Sequence, residues 1–94
     1  MFVLGGTASA ASCGDVKDVY IRGGESHYSV DCFGHNSRVS GTVKDTRADK
    51  QCVQVRVVFA DGAKYSPRAC PSGTVKHFDL SGSGNRPHVY TRYG

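Results

Sequence analysis

The most regular pattern in the chain is Cys52-Val53-Gln54-Val55-Arg56-Val57-Val58-Phe59, where Val53, Val55, Val57 and Phe59 recur at every second position with Gln54 and Arg56 between them. A period of two places the apolar set on one face of a β-strand and the polar set on the other. Elsewhere, short β-branched and aromatic runs alternate with glycine- and proline-bearing turn signals, and no window carries a helical period. The pattern predicts strands over residues 17–22, 26–32, 37–44, 51–59, 63–70, 73–80 and 87–93. Six to seven short strands in a chain of this length make an all-β fold, a small antiparallel β-sandwich or barrel. Residues 52–59 form its core strand, met from neighbouring strands by Val39, Val43, Val75, Phe78, Leu80 and Val89.

Two turns constrain the register. Gly23-Gly24 suits a two-residue hairpin turn, which sets Arg22 opposite Glu25 and Val19 opposite Tyr28. Ala60-Asp61-Gly62 suits a three-residue turn with Gly62 left-handed, so that Phe59 opposes Ala63, opposed positions sum to 122, and Cys52 faces Cys70. Opposed Cα atoms lie about 4.5 to 5.5 Å apart, within disulfide range. The expected bridges are therefore Cys52–Cys70 and, by remainder, Cys13–Cys32. Pro67 lacks a ladder donor, which puts its strand at an edge or gives it a bulge.

Composition makes those bridges important. Of 94 residues only 38% are hydrophobic and none is Trp, and a domain this small buries roughly 60 to 65% of its unfolded surface. Four cysteines without a C-x-x-C pair read as a disulfide framework rather than a zinc or redox site, and so as an exported protein. Residues 1–11 are uncharged, begin with Phe2-Val3-Leu4 and contain Ala8-x-Ala10, the small-residue pattern of signal cleavage. They read as a signal-peptide remnant or a flexible N-terminal arm, with residues 12–94 as a single β domain. No apolar run is long enough for a transmembrane helix. Residues 44–50, rich in charges of both signs, read as a solvated connection.

Candidate chemistry is sparse. Glu25 is the sole glutamate, and Asp15, Asp18, Asp31, Asp45, Asp49, Asp61 and Asp79 are scattered, so no carboxylate pair suggests itself. His27, His35, His77 and His88 show no metal-ligand spacing, and only His77 and Asp79 share a strand face two positions apart. There is no G-x-S-x-G elbow. Ser81-Gly82-Ser83-Gly84-Asn85 lacks the lysine and helix of a phosphate loop and reads as a flexible inter-strand loop. These features imply no enzyme, cofactor or metal. A net charge of +4 suits phosphate weakly, but the glutamate base and packed helix of small secreted ribonucleases have no counterpart, so nucleic acid is not the expected partner.

Binding chemistry is better represented. Tyr and Arg together favour protein interfaces. In the last strand His88, Tyr90 and Arg92 share one face, and Val89, Thr91 and Tyr93 the other. The candidate contact residues are Arg86, His88, Tyr90, Arg92 and Tyr93, with Tyr20 and Arg22 at the first hairpin.

The segment from Cys52-Val53-Gln54-Val55-Arg56-Val57-Val58-Phe59 through Ala60-Asp61-Gly62 to Cys70 resembles small secreted two-disulfide β-proteins of filamentous actinobacteria, and among named families is similar to the tendamistat-type α-amylase inhibitors. The resemblance implies a two-disulfide β-sandwich and a protein-binding role. It does not extend to the Trp-Arg-Tyr triplet by which those inhibitors enter amylase, because the first hairpin reads Tyr20-Ile21-Arg22-Gly23-Gly24. The expected function is a secreted, non-enzymatic protein–protein interaction module, either a docking subunit of an extracellular assembly or an inhibitor of a secreted enzyme. The alternative is a carbohydrate- or cell-wall-binding module using exposed tyrosines, and behind it a small secreted nuclease using His77 or His88.

Overall fold

The computed structural model describes residues 6–47 and 51–93, with residues 6–10 described through their backbone. Eight strands run in chain order: β1 (Gly6–Ala10), β2 (Val16–Ile21), β3 (Gly24–Phe33), β4 (Asn36–Asp45), β5 (Val53–Phe59), β6 (Gly62–Tyr65), β7 (Val75–Ser83) and β8 (His88–Tyr93). They form two antiparallel four-stranded sheets, sheet I in the order β1-β8-β5-β6 and sheet II in the order β2-β3-β4-β7. The architecture is the all-β, two-disulfide sandwich that the alternation predicts. The strand beyond the expected seven is β1, whose Gly6–Ala10 backbone pairs with β8 from Gly6 opposite Arg92 to Ala10 opposite His88. Met1, Phe2, Val3 and Leu4 lie outside the described residues, as do Ala48, Asp49 and Lys50 of the charged connection.

The core lies between the sheets. Sheet I supplies Val53, Val55, Val57, Phe59 and Val89, and sheet II supplies Tyr28, Val30, Val39, Val43 and Phe78, all buried, with Leu80 packed at the margin. Tyr28 is thus a core residue. Val75, expected there too, is 45% exposed because it opens edge strand β7 and shares the outward parity of Lys44, its partner on β4. A polar contact joins the sheets at the centre, where the fully buried Ser26 and Thr91 hydroxyls approach to 2.6 Å.

Both hairpins depart from the expected registers, and each departure has a packing cause. In β2–β3, Ile21 pairs with Gly24, Tyr20 with Glu25 and Val19 with Ser26, so opposed positions sum to 45 and the turn is Arg22-Gly23. Gly23 takes the positive φ of 89°. Gly24 is needed in the strand instead, where a Cβ would come within 2.6 Å of Val53 Cγ2 on the facing sheet. Arg22 therefore lies in the turn and does not oppose Glu25.

In β5–β6, Phe59 pairs with Gly62 and Arg56 with Tyr65, so the turn is the two-residue Ala60-Asp61. The extra residue enters three positions later. Val53 pairs with Ala69, one position out of register with the Arg56–Tyr65 pair, so Ser66-Pro67-Arg68 form a bulge against β5. The Val55 N–H donates to Ser66 Oγ (2.9 Å), which in turn donates to the Pro67 carbonyl (2.9 Å). Pro67, just past edge strand β6, sits in the bulge, where the Ser66 and Ala69 N–H groups donate to the Val55 and Val53 carbonyls without needing it. The bulge restores the spacing that brings Cys52 opposite Cys70.

Both expected disulfides are present, Cys13–Cys32 with Cα atoms 5.4 Å apart and Cys52–Cys70 at 4.8 Å. Two bridges suit an oxidising compartment. The first ties the segment before β2 to the end of β3, and the second ties the start of β5 to the bulged chain.

Residues Ser81-Gly82-Ser83 are the end of β7 and not a loop tip. Gly82 lies so close over Phe59 that a Cβ would meet its ring at 2.4 Å. The Ala60 N–H donates to the Ser83 carbonyl, the Ser83 N–H to Asp61 Oδ1 (3.2 Å), and Lys64 Nζ to the Ser81 carbonyl. The Ser83 amide holds the Asp61 carboxyl below its usual range. These contacts cover the C-terminal end of β7 with the β5–β6 hairpin.

Candidate functional site

The structure divides the candidate contact residues among three places. Tyr20, 66% exposed, and Arg22 belong to the first hairpin of sheet II. Tyr93 shares the inward parity of Val89 and Thr91 and packs against the core, so it does not join an exposed stripe. His88, Tyr90 and Arg92 do face outward on sheet I, and Arg86 lies in the exposed turn just before β8.

Ladder pairing assembles more on that outer face than one strand contains. Arg56 of β5 pairs with Tyr90 of β8 on one side and Tyr65 of β6 on the other. This produces a row Tyr90-Arg56-Tyr65 across three adjacent strands. Gln54 pairs with Arg92, and Val58 with His88, to flank the row. The Arg56 guanidinium lies over the Tyr90 ring, 5.3 Å from its centroid, a cation–π contact worth about 0.5–1 kcal/mol at an exposed site. Arg56 and Tyr65 are the residues that sequence reasoning missed. The available signal was Arg56 itself, an outward-facing cation on the strand read as the core.

At Val58 and His88 the face adjoins a cleft of about 480 Å³, whose lining includes Val58, Phe59 and Ala60 together with Asn85, Arg86 and His88. The cleft is open, so it presents apolar lining beside Arg86 and His88 rather than an enclosed pocket.

A second cluster occupies the outer face of sheet II. With the register sum of 45, Asp18 opposes His27. His27 Nδ1 lies 2.8 Å from Asp18 Oδ1 and Nε2 lies 3.7 Å from Glu25 Oε1, while the Tyr20 ring meets the imidazole edge-on at 5.7 Å. The hydrogen bond to Asp18 raises the His27 pKa, desolvation offsets part of that rise, and the Asp18 and Glu25 charges add smaller increments to it. Asp18 and Glu25 thus lie at the two ring nitrogens of His27, a geometry that favours the protonated ring and engages both nitrogens. His77 and Asp79 share the outer face of β7, but Asp79 is engaged by Arg38 through two bonds of 2.7 and 2.6 Å. Among the described residues no group of three or more His, Cys, Asp or Glu side chains is placed to hold a metal ion.

Comparison with protein-family models, with curated proteins and with solved structures finds no match to this chain, so the geometry of these two faces carries the functional argument.

Proposed function

We propose that the protein is a secreted, non-enzymatic interaction module that docks another extracellular protein through the outer face of sheet I. The observation that carries this reading is the row Tyr90-Arg56-Tyr65, with the Arg56 guanidinium laid over Tyr90 and no carboxylate bonded to it among the described residues. Tyr and Arg on a rigid sheet offer contact area and donors with little conformational entropy to lose. The two disulfides and the Ala8-x-Ala10 pattern support export. Cleavage after Ala10 would remove β1 and leave the β8 edge unpaired beside Arg92, Tyr90 and His88, and the intact mass of the secreted form reads this directly.

The test is affinity capture from the extracellular fraction of the source cells on the immobilised, oxidised protein. A specific protein should be retained by the wild type and lost with Arg56→Ala/Tyr90→Ala, since two interface anchors of this kind are together worth about 2 kcal/mol or more, roughly 30-fold. Tyr20→Ala/Arg22→Ala, on the other sheet, should retain it. No capture at micromolar protein, or equal capture by both variants, refutes the reading.

A further inference from the structure

Charge is partitioned between the two sheets. The strands of sheet II carry Asp18, Glu25, Asp31, Asp45 and Asp79, whereas those of sheet I carry no carboxylate and hold Arg56, Lys64 and Arg92. The strand arginines of the two sheets differ in state as well. On sheet II, Arg38 is clamped by Asp79 through both of its bonds, and His27 lies between Asp18 and Glu25. On sheet I, neither Arg56 nor Arg92 meets a carboxylate among the described residues, and the same holds for Arg86 at the rim of the adjoining cleft.

The Arg56 guanidinium carbon lies 5.3 Å from the Tyr90 ring centroid, a cation–π contact that consumes none of its N–H donors. A guanidinium lying over a ring keeps its in-plane N–H edges open, and those edges match a carboxylate in the paired geometry that makes Arg–carboxylate bonds strong. The same contact places a cation over the face of Tyr90 that a nucleobase or a sugar would use for stacking. We propose that this face binds a carboxylate-rich segment of its protein partner, with Asp and Glu side chains pairing to Arg56, Arg92 and Arg86 and an apolar residue entering the cleft over Val58. This rests on the docking function proposed above and specifies the partner's chemistry.

The test uses the full oxidised chain, 15N-labelled, titrated with a synthetic eight-residue glutamate peptide at low and at physiological salt. Amide shifts should map to β5, β6, β8 and the Arg86 turn, and binding should weaken as screening shortens the reach of surface charges. Arg56→Gln/Arg92→Gln should weaken binding about tenfold, while Lys17→Gln/Lys76→Gln, which removes the same charge from sheet II, should change it by less than about twofold. Arg86→Gln, at an exposed side chain with no hydrogen bond or ion pair among the described residues, should weaken it about threefold and guards against misfolding of the double variant. Shifts confined to sheet II, equal losses in both double variants, or tighter binding of an oligonucleotide or a sulfated polysaccharide at the same arginines would each overturn the proposal. So would failure of the peptide to bind while the natural partner is still captured. In that case docking stands and carboxylate recognition falls.

Discussion

The contact between Ser26 and Thr91 joins the two sheets at full burial, and it makes a quantitative prediction. Ser26 lies on β3 opposite Val43, and Thr91 on β8 opposite Val55, so both hydroxyls sit among valines with each other as the recorded partner at 2.6 Å. Thr91→Val preserves shape and removes one hydroxyl, leaving Ser26 buried without a partner at a cost of about 1–3 kcal/mol. Ser26→Ala strands Thr91 in the same way. The double variant Ser26→Ala/Thr91→Val leaves no orphan, so its cost should fall well below the sum of the singles, with a coupling of about 1–2 kcal/mol. Urea unfolding with the disulfides intact measures this through the midpoint at constant slope. In thermal melts each kcal/mol should appear as a shift of roughly 4–8 °C for a domain of this size. Additive effects, or a Thr91→Val variant as stable as wild type, would refute the view that this bond satisfies otherwise stranded groups.

Three further outcomes follow from single side chains. Ser66→Ala removes the acceptor of the Val55 N–H at the bulge, so it should cost about 1–3 kcal/mol and speed hydrogen exchange at Val55, with unchanged exchange as the refuting result. Ser37 Oγ is buried with no partner among the described residues, so Ser37→Ala should be neutral or stabilising by up to about 1 kcal/mol in the same urea assay, and a loss beyond that would refute this. The His27 imidazole should titrate above 6.5 by NMR and fall back toward 6.5 in Asp18→Asn. Because the folded value is raised, its contribution to stability is complete below 6.5 and disappears as pH rises through the folded value, a small effect at this exposure. A titration at or below 6.5 in the wild type would contradict the geometry.

Much of the fold is legible in local pattern. Val53, Val55, Val57 and Phe59 alternate cleanly because one face of β5 is buried, and burial of a single face imposes a period of two on any strand. The cysteine pairing is also legible, although Ala60-Asp61-Gly62 predicts the extra residue in the turn. It lies instead at Ser66-Pro67-Arg68, and either location yields the same opposition of Cys52 and Cys70. The first hairpin held an unused signal. Cys13 and Cys32 sum to 45, the register of the whole β2–β3 ladder, so the expected disulfide itself selected Arg22-Gly23 over Gly23-Gly24. With that register Asp18 falls opposite His27, and the cluster on sheet II becomes visible from sequence.

The face of sheet I was less accessible. Tyr65, Arg56 and Tyr90 are far apart in the chain, and nothing local says that β8 inserts beside β5 to align them. The sequence by itself determined the all-β class, the core strand and both disulfides, because alternation, turn residues and cysteine spacing act over a few positions. Only the tertiary structure decided strand order, the identity of Gly24 and Gly82 as close-packing positions, and the separation of charge between sheets. Those depend on which strands meet and which faces oppose, a choice made by packing across the whole core.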